Sequence, residues 1–153
     1  MEKRLMFSVI NGPNLNLLGE REPQLYGASS LQDLENLCRD WGRKKGIDIR
    51  CAQTNHEGEM IDLLQAARLD SRGVVLNAAG YTHTSVAIRD AVSAIRIPVI
   101  EVHLTNTAAR EPFRRRSLLT PVAAGLVMGF GKAGYLLALE GLLALTTGEE
   151  TGK

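Results

Sequence analysis

Cysteine is nearly absent from this sequence, and the two that occur, Cys38 and Cys51, are too few for a disulfide framework or a zinc site. Both lie in apolar runs, which predicts buried free thiols and a reducing, cytoplasmic compartment. A surplus of either charge is missing as well: 18 Lys and Arg stand against 17 Asp and Glu. That balance removes the electrostatic reason to expect nucleic acid or an anionic membrane as a partner. Long hydrophobic runs are lacking too. The apolar stretch 5–10 behind Lys3 and Arg4 stops at Asn11-Gly12-Pro13-Asn14, too soon for a secretory signal. The Leu-rich stretch 136–145 carries Glu140 and Gly141 and is too short to span a bilayer. With no internal repeat, linker or low-complexity tract, the 153 residues are expected to form a single domain over 1–153, frayed from 146 onward.

What is present is a regular alternation of short apolar runs with amphipathic stretches. Residues 5–11, 47–53, 73–77, 98–103 and 125–130 read as strands. Helices are expected over 31–45, 57–69, 85–94 and 132–145. In the first of these, Leu31, Leu34, Leu37, Cys38 and Trp41 recur at helical spacing, with Ser30 as N-cap and Gly46 as terminator. Runs such as Val74-Val75-Leu76 and Val99-Ile100 lack any polar alternation, which suits strands covered on both faces. The predicted fold class is α/β: a flavodoxin-like, five-stranded parallel sheet of order 2-1-3-4-5 with helices on both faces.

Ligands of such sheets bind beyond the carboxyl ends of the strands, where the strand order reverses. The chemistry in this sequence is concentrated there. Strand one runs into Asn11, Pro13, Asn14 and Asn16, and strand three into Asn77, Tyr81, His83 and Thr84. Strand four runs into Glu101, His103, Thr105 and Asn106, with Arg110 and Arg114 close behind. Glu101 and His103, two apart in a strand, share a face, and a carboxylate neighbour could hold the imidazole protonated as a general acid. The polar loop 19–27, bounded by glycines, carries Arg21 and Tyr26. Spacing alone favours a solvated cation and a surface phenol; the alternative is a lid whose cation makes tyrosinate usable as a base.

Other motifs are weaker than they look. Gly129-Phe130-Gly131-Lys132-Ala133-Gly134 spells a dinucleotide fingerprint, but no later strand can supply the acidic ribose ligand. Its glycines are expected to serve a tight turn and close helix–sheet packing. His56-Glu57 begins like a zinc-protease helix, yet position 60 is Met, and no local spacing supports a metal site from His56, His83 and His103. Arg114-Arg115-Arg116 reads either as a solvated face or as a clamp for a carboxylate. A phosphate- or flavin-binding module would want a Gly/Ser/Thr-rich loop after strand one, of which Asn14-Leu15-Asn16-Leu17 is a poor version.

Taken in order, several blocks resemble the type II 3-dehydroquinases: 11–19, Arg21-Glu22-Pro23 through Tyr26-Gly27, 53–58, Asn77 with 81–85, Arg89-Asp90-Ala91, 101–106, 110–114 and Gly134-Tyr135. The resemblance covers about 5–145. It implies removal of water from 3-dehydroquinate by anti elimination through an enolate, without cofactor or metal. It implies Tyr26 as the base, Arg21 stabilising its phenolate, and Asn14 holding a water against the enolate oxygen. His103 would be the acid, positioned by Glu101. Asn77, His83 and Arg114 would hold ring hydroxyls, the backbone amides of Leu104 and Thr105 the carboxylate, and Arg110 would support from behind. Asp90 would reach a neighbouring subunit's site in trimers that assemble four at a time into a dodecamer. Small departures occur: Ala79 stands where the family usually has Gly, Leu104-Thr105 replaces the commoner Ile-Ser, and Leu118 replaces a frequent aromatic residue.

Overall fold

The computed structural model describes residues 3–20, 24 and 29–148. Among them, β1 (Met6–Asn11), β2 (Asp48–Gln53), β3 (Gly73–Asn77), β4 (Val99–His103) and β5 (Gly125–Met128) form one sheet in the order β2-β1-β3-β4-β5. Every pairing is parallel. Three α-helices connect strands, α1 (Leu31–Lys45), α2 (Glu57–Asp70) and α3 (Val86–Ile95), and a fourth, α4 (Ala133–Thr146), follows β5. The expected fold class and strand order are both observed.

The two-sided burial follows from alternation along the strands. Phe7, Val9, Val75, Ile100 and Val102 meet Leu34, Cys38 and Trp41 of α1 and Tyr135, Leu139 and Leu142 of α4. Ile10, Val74, Leu76 and Val99 meet Met60 and Leu64 of α2 and Ile88, Val92 and Ile95 of α3. Each fully buried aliphatic side chain contributes roughly 1.5–3 kcal/mol of transfer free energy. The two cores therefore hold the register, and the register places the polar strand ends. Asn11 of β1 stands beside Asn77 of β3, and Leu76 beside Glu101 of β4.

Local chemistry accounts for the element ends. Ser30 Oγ accepts from the Asp33 amide and the Asp33 carboxylate accepts from the Ser30 amide, a reciprocal cap that starts α1. Gly46 ends that helix at φ +71°. Two expected boundaries are corrected. β5 ends at Met128 rather than 130, because Gly129 turns the chain at φ +94°. α4 continues through Thr146, whose hydroxyl donates to the Leu142 carbonyl at 2.8 Å; residues 149–153 of the anticipated frayed tail lie outside the described residues.

Cys38 is buried as expected, but Cys51 is only partly so, because β2 is the sheet's edge strand. Burial pushes Cys38 up to about 12 and Cys51 up to about 11, so both are poor nucleophiles. No helix among the described residues is long and apolar enough to cross a membrane.

Candidate active site

A cleft of about 190 Å³ opens at the carboxyl ends of β1, β3 and β4, where the strand order reverses. Its walls include Asn14, Asn77, His83, His103, Leu104, Thr105, Arg110 and Arg114. Eight residues singled out from the sequence thus converge on one cavity. Glu101 stands behind His103, and Asp90 is exposed on α3 away from the cleft wall. Arg21 and Tyr26 lie outside the described residues.

The chemical centre is the pair at the end of β4. His103 Nε2 and Glu101 Oε2 are 2.6 Å apart, with both side chains almost fully buried. Two hydroxyls complete the carboxylate's shell: Ser117 Oγ donates to Oε2 at 2.9 Å and Thr120 Oγ1 donates to Oε1 at 2.7 Å. Ser117 has no freedom to do otherwise. Its oxygen already accepts from the amides of Leu119 and Thr120, so its one proton goes to Glu101. Burial alone would push Glu101 up, but the hydrogen bonds from His103, Thr120 and Ser117 hold it below the usual carboxylate range. An ionised carboxylate is acceptor-only, so His103 presents an N–H from Nε2 to it. His103 itself lines the cleft, and with Nε2 committed to Glu101, Nδ1 is its remaining ring nitrogen.

Ser117 and Thr120 belong to the segment between β4 and β5, remote enough from Glu101 that no sequence spacing marks them. Replacing Glu101 by Gln sets an amide N–H against a hydroxyl or imidazole N–H. The expected loss is roughly 1–3 kcal/mol near neutral pH. Because the folded Glu101 value lies below the unfolded one of about 4.3, its contribution is present above that range and fades as pH falls through the depressed folded value. The deficit of Glu101→Gln therefore shrinks in acid, which denaturant midpoints at neutral and acidic pH would reveal. A deficit independent of pH would contradict the ionised assignment.

The opposite wall is set by tight turns. Gly12 approaches β3 so closely that a Cβ there would lie 2.7 Å from the Ala78 carbonyl oxygen. Asn14 occupies the left-handed region at φ +70°, its amide donating to Asn55 Oδ1 at 3.0 Å. Asn tolerates that conformation better than most side chains. Ala79 has φ +50° with no such excuse, at the position where the resemblance leads one to expect Gly. Ala79→Gly should accordingly raise stability by about 1 kcal/mol, seen as a higher Tm; a lower Tm would show the strain is absorbed elsewhere.

The His83 Nδ1 donates to the Arg116 carbonyl at 2.7 Å, and the residue lines the cleft. Arg114 is held by Glu111 at 2.9 Å and lies over the Phe113 ring, 5.0 Å from its centre. Arg110 pairs with the same carboxylate at 3.7 Å. The arginine run is thus divided: Arg114 lines the cleft, whereas Arg115 donates to the Arg110 carbonyl and is exposed. In the glycine-rich turn after β5, Gly129 and Gly131 both have positive φ, and Lys132 Nζ donates to Ser29 Oγ at 2.6 Å. Among the described residues no group of three or more His, Cys, Asp or Glu is placed to hold a metal ion.

Fold and cleft together place a buried histidine–carboxylate pair at the switch point of a doubly wound parallel sheet. A sequence model described as dehydroquinase class II matches residues 5–143. The 3-dehydroquinate dehydratase of Dinoroseobacter shibae is 50% identical over 146 residues, 95% of this chain and 97% of that protein. The enzyme of the same name from Azorhizobium caulinodans is 54% identical over 139 residues, 91% of this chain and 92% of the relative. The crystal structure of a type II dehydroquinase from Butyrivibrio crossotus superposes with a TM-score of 0.90 at 42% identity, covering 92% of this chain and 98% of that one. The chain belongs to the class II dehydroquinase family.

Proposed function

We propose that this chain is a 3-dehydroquinate dehydratase, converting 3-dehydroquinate to 3-dehydroshikimate with loss of water, in the shikimate pathway or in quinate breakdown. The observation that carries this reading is the buried His103–Glu101 pair facing the cleft of a class II dehydroquinase. The reaction removes a proton beside a ketone and expels hydroxide, so it needs a base, a partner for the enolate oxygen and an acid. In this reading Tyr26 is the base, with Arg21 stabilising its phenolate. Asn14 holds a water against the developing enolate oxygen. His103, oriented by Glu101, delivers a proton from Nδ1 to the departing hydroxyl.

Asn77, His83 and Arg114 hold the ring hydroxyls, and the backbone amides of Leu104 and Thr105 hold the carboxylate, with Arg110 behind. No lysine is among the cleft-lining residues described, which favours an enolate over an imine. The whole chain acts as a single catalytic domain in the cytoplasm, free of cofactor and metal. Asp90, exposed on α3 outside its own cleft, serves a neighbouring subunit's site within trimers that build a dodecamer.

The deciding experiment incubates purified protein with 3-dehydroquinate and follows the conjugated enone by ultraviolet absorbance, with a parallel sample treated with borohydride. Turnover that survives borohydride is expected. Turnover lost to borohydride would reinstate an imine, and none at all from folded, oligomeric protein would turn attention to a binding role.

A further inference from the structure

The polar ends of β1 and β3 are joined through a residue of α4 that the mechanism above does not use. Tyr135 is fully buried, and its hydroxyl lies 2.5 Å from Asn11 Oδ1 and 2.9 Å from Asn77 Nδ2. Hydrogen-bond direction in this chain is forced from one end. The Ala79 backbone amide can only donate, and it donates to Asn77 Oδ1 at 3.1 Å. Asn77 Nδ2 must then face Tyr135 and donate to its oxygen. The phenol's single proton consequently goes to Asn11 Oδ1, which turns Asn11 Nδ2 into a buried position with no acceptor among the described residues.

That orphan donor shows which requirement dominates. A buried unpaired N–H is costly. Reversing the Asn11 amide would direct Nδ2 at the Tyr135 oxygen and send the phenol's proton toward Asn77. Asn77 would then have to present Oδ1 to Tyr135 and its amino group to the Ala79 amide, donor against donor. The backbone turn at Ala78–Ala79 therefore sets the sense of the whole chain of hydrogen bonds.

We infer that Tyr135 is a positioning residue: its hydroxyl takes one of the two Asn77 Nδ2 protons and so fixes the other as a donor to a ligand hydroxyl in the cleft. The inference rests on Asn77 being a ligand of the substrate, as proposed above. Asn77 is buried yet lines the cleft, so its amide is the means by which an invisible core phenol reaches the substrate. Without the phenol, Asn77 Oδ1 still accepts from the Ala79 amide, but Nδ2 loses its buried acceptor. The amide can then swing about that one bond, and its second proton is no longer fixed toward the ligand.

Tyr135→Phe keeps the ring in its pocket and deletes only the hydroxyl. The expected result is a KM raised roughly tenfold, the worth of one hydrogen bond, with kcat changed less than threefold. In an Asn77→Ala background the same substitution is expected to leave KM where Asn77→Ala alone puts it, although it still lowers Tm. A purely structural role would lower Tm in both backgrounds and leave KM unmoved, which would overturn the inference. An Asn77→Ala enzyme with unchanged KM would instead refute Asn77 as a ligand. Should Tyr135→Phe fold poorly, Asn11→Ala removes the acceptor that orients the phenol, and it is expected to raise KM in the same direction; an unchanged KM there would also count against the assignment.

Discussion

Replacing His103 by Ala is expected to lower kcat by roughly 10²–10⁴-fold, the usual worth of a positioned general acid. The leaving group is hydroxide, whose conjugate acid has a pKa of about 15.7, so unassisted departure from an enolate is slow. His103 is placed to assist: it lines the cleft, and with Nε2 committed to Glu101, Nδ1 is its remaining ring nitrogen. The structural cost of the substitution should be modest, because Glu101 keeps its two hydroxyl donors, Ser117 and Thr120. A folded His103→Ala protein with kcat within tenfold of the parent would remove His103 from the acid's role. Enone formation measured alongside a thermal melt separates the two possibilities.

The second large effect is expected at Tyr26. Tyr26→Phe should lower kcat by roughly 10²–10⁴-fold while KM stays within a few-fold, since a phenyl ring fills the same space but cannot accept a proton. An ordinary phenol, with a pKa of about 10, is mostly protonated at neutral pH. Arg21 is proposed to favour the phenolate, so Arg21→Ala should move the acid limb of kcat upward in pH, because loss of a nearby cation raises a phenol's pKa. Retained turnover in Tyr26→Phe would refute its assignment as base. An acid limb unmoved in Arg21→Ala would refute only the electrostatic part.

Much of the fold was legible because it depends on local patterns. The gapless apolar runs of β3 and β4 announce strands covered on both sides, and Ser30 and Gly46 bracket α1 by their own backbone chemistry. The errors lie at ends, where one residue's φ decides: Gly129 cuts β5 short. The cleft was legible in part, since polar residues at the carboxyl ends of parallel strands have little else to do there. Glu101 and His103 were visible as a pair because strand alternation puts i and i+2 on one face.

The groups that hold the polar strand ends in place were not visible. Ser117 and Thr120 reach Glu101 from 16 and 19 residues away, and Tyr135 reaches Asn11 across 124. Such contacts have no period, and a serine, a threonine and a tyrosine have many unremarkable reasons to occur. Local order, strand sequence and the residue types at each strand end were thus determined by the chain itself, through short-range sterics and hydrophobic periodicity. Only the folded structure decided which hydrogens point where, because the directions of buried hydrogen bonds depend on every donor and acceptor that packing brings together.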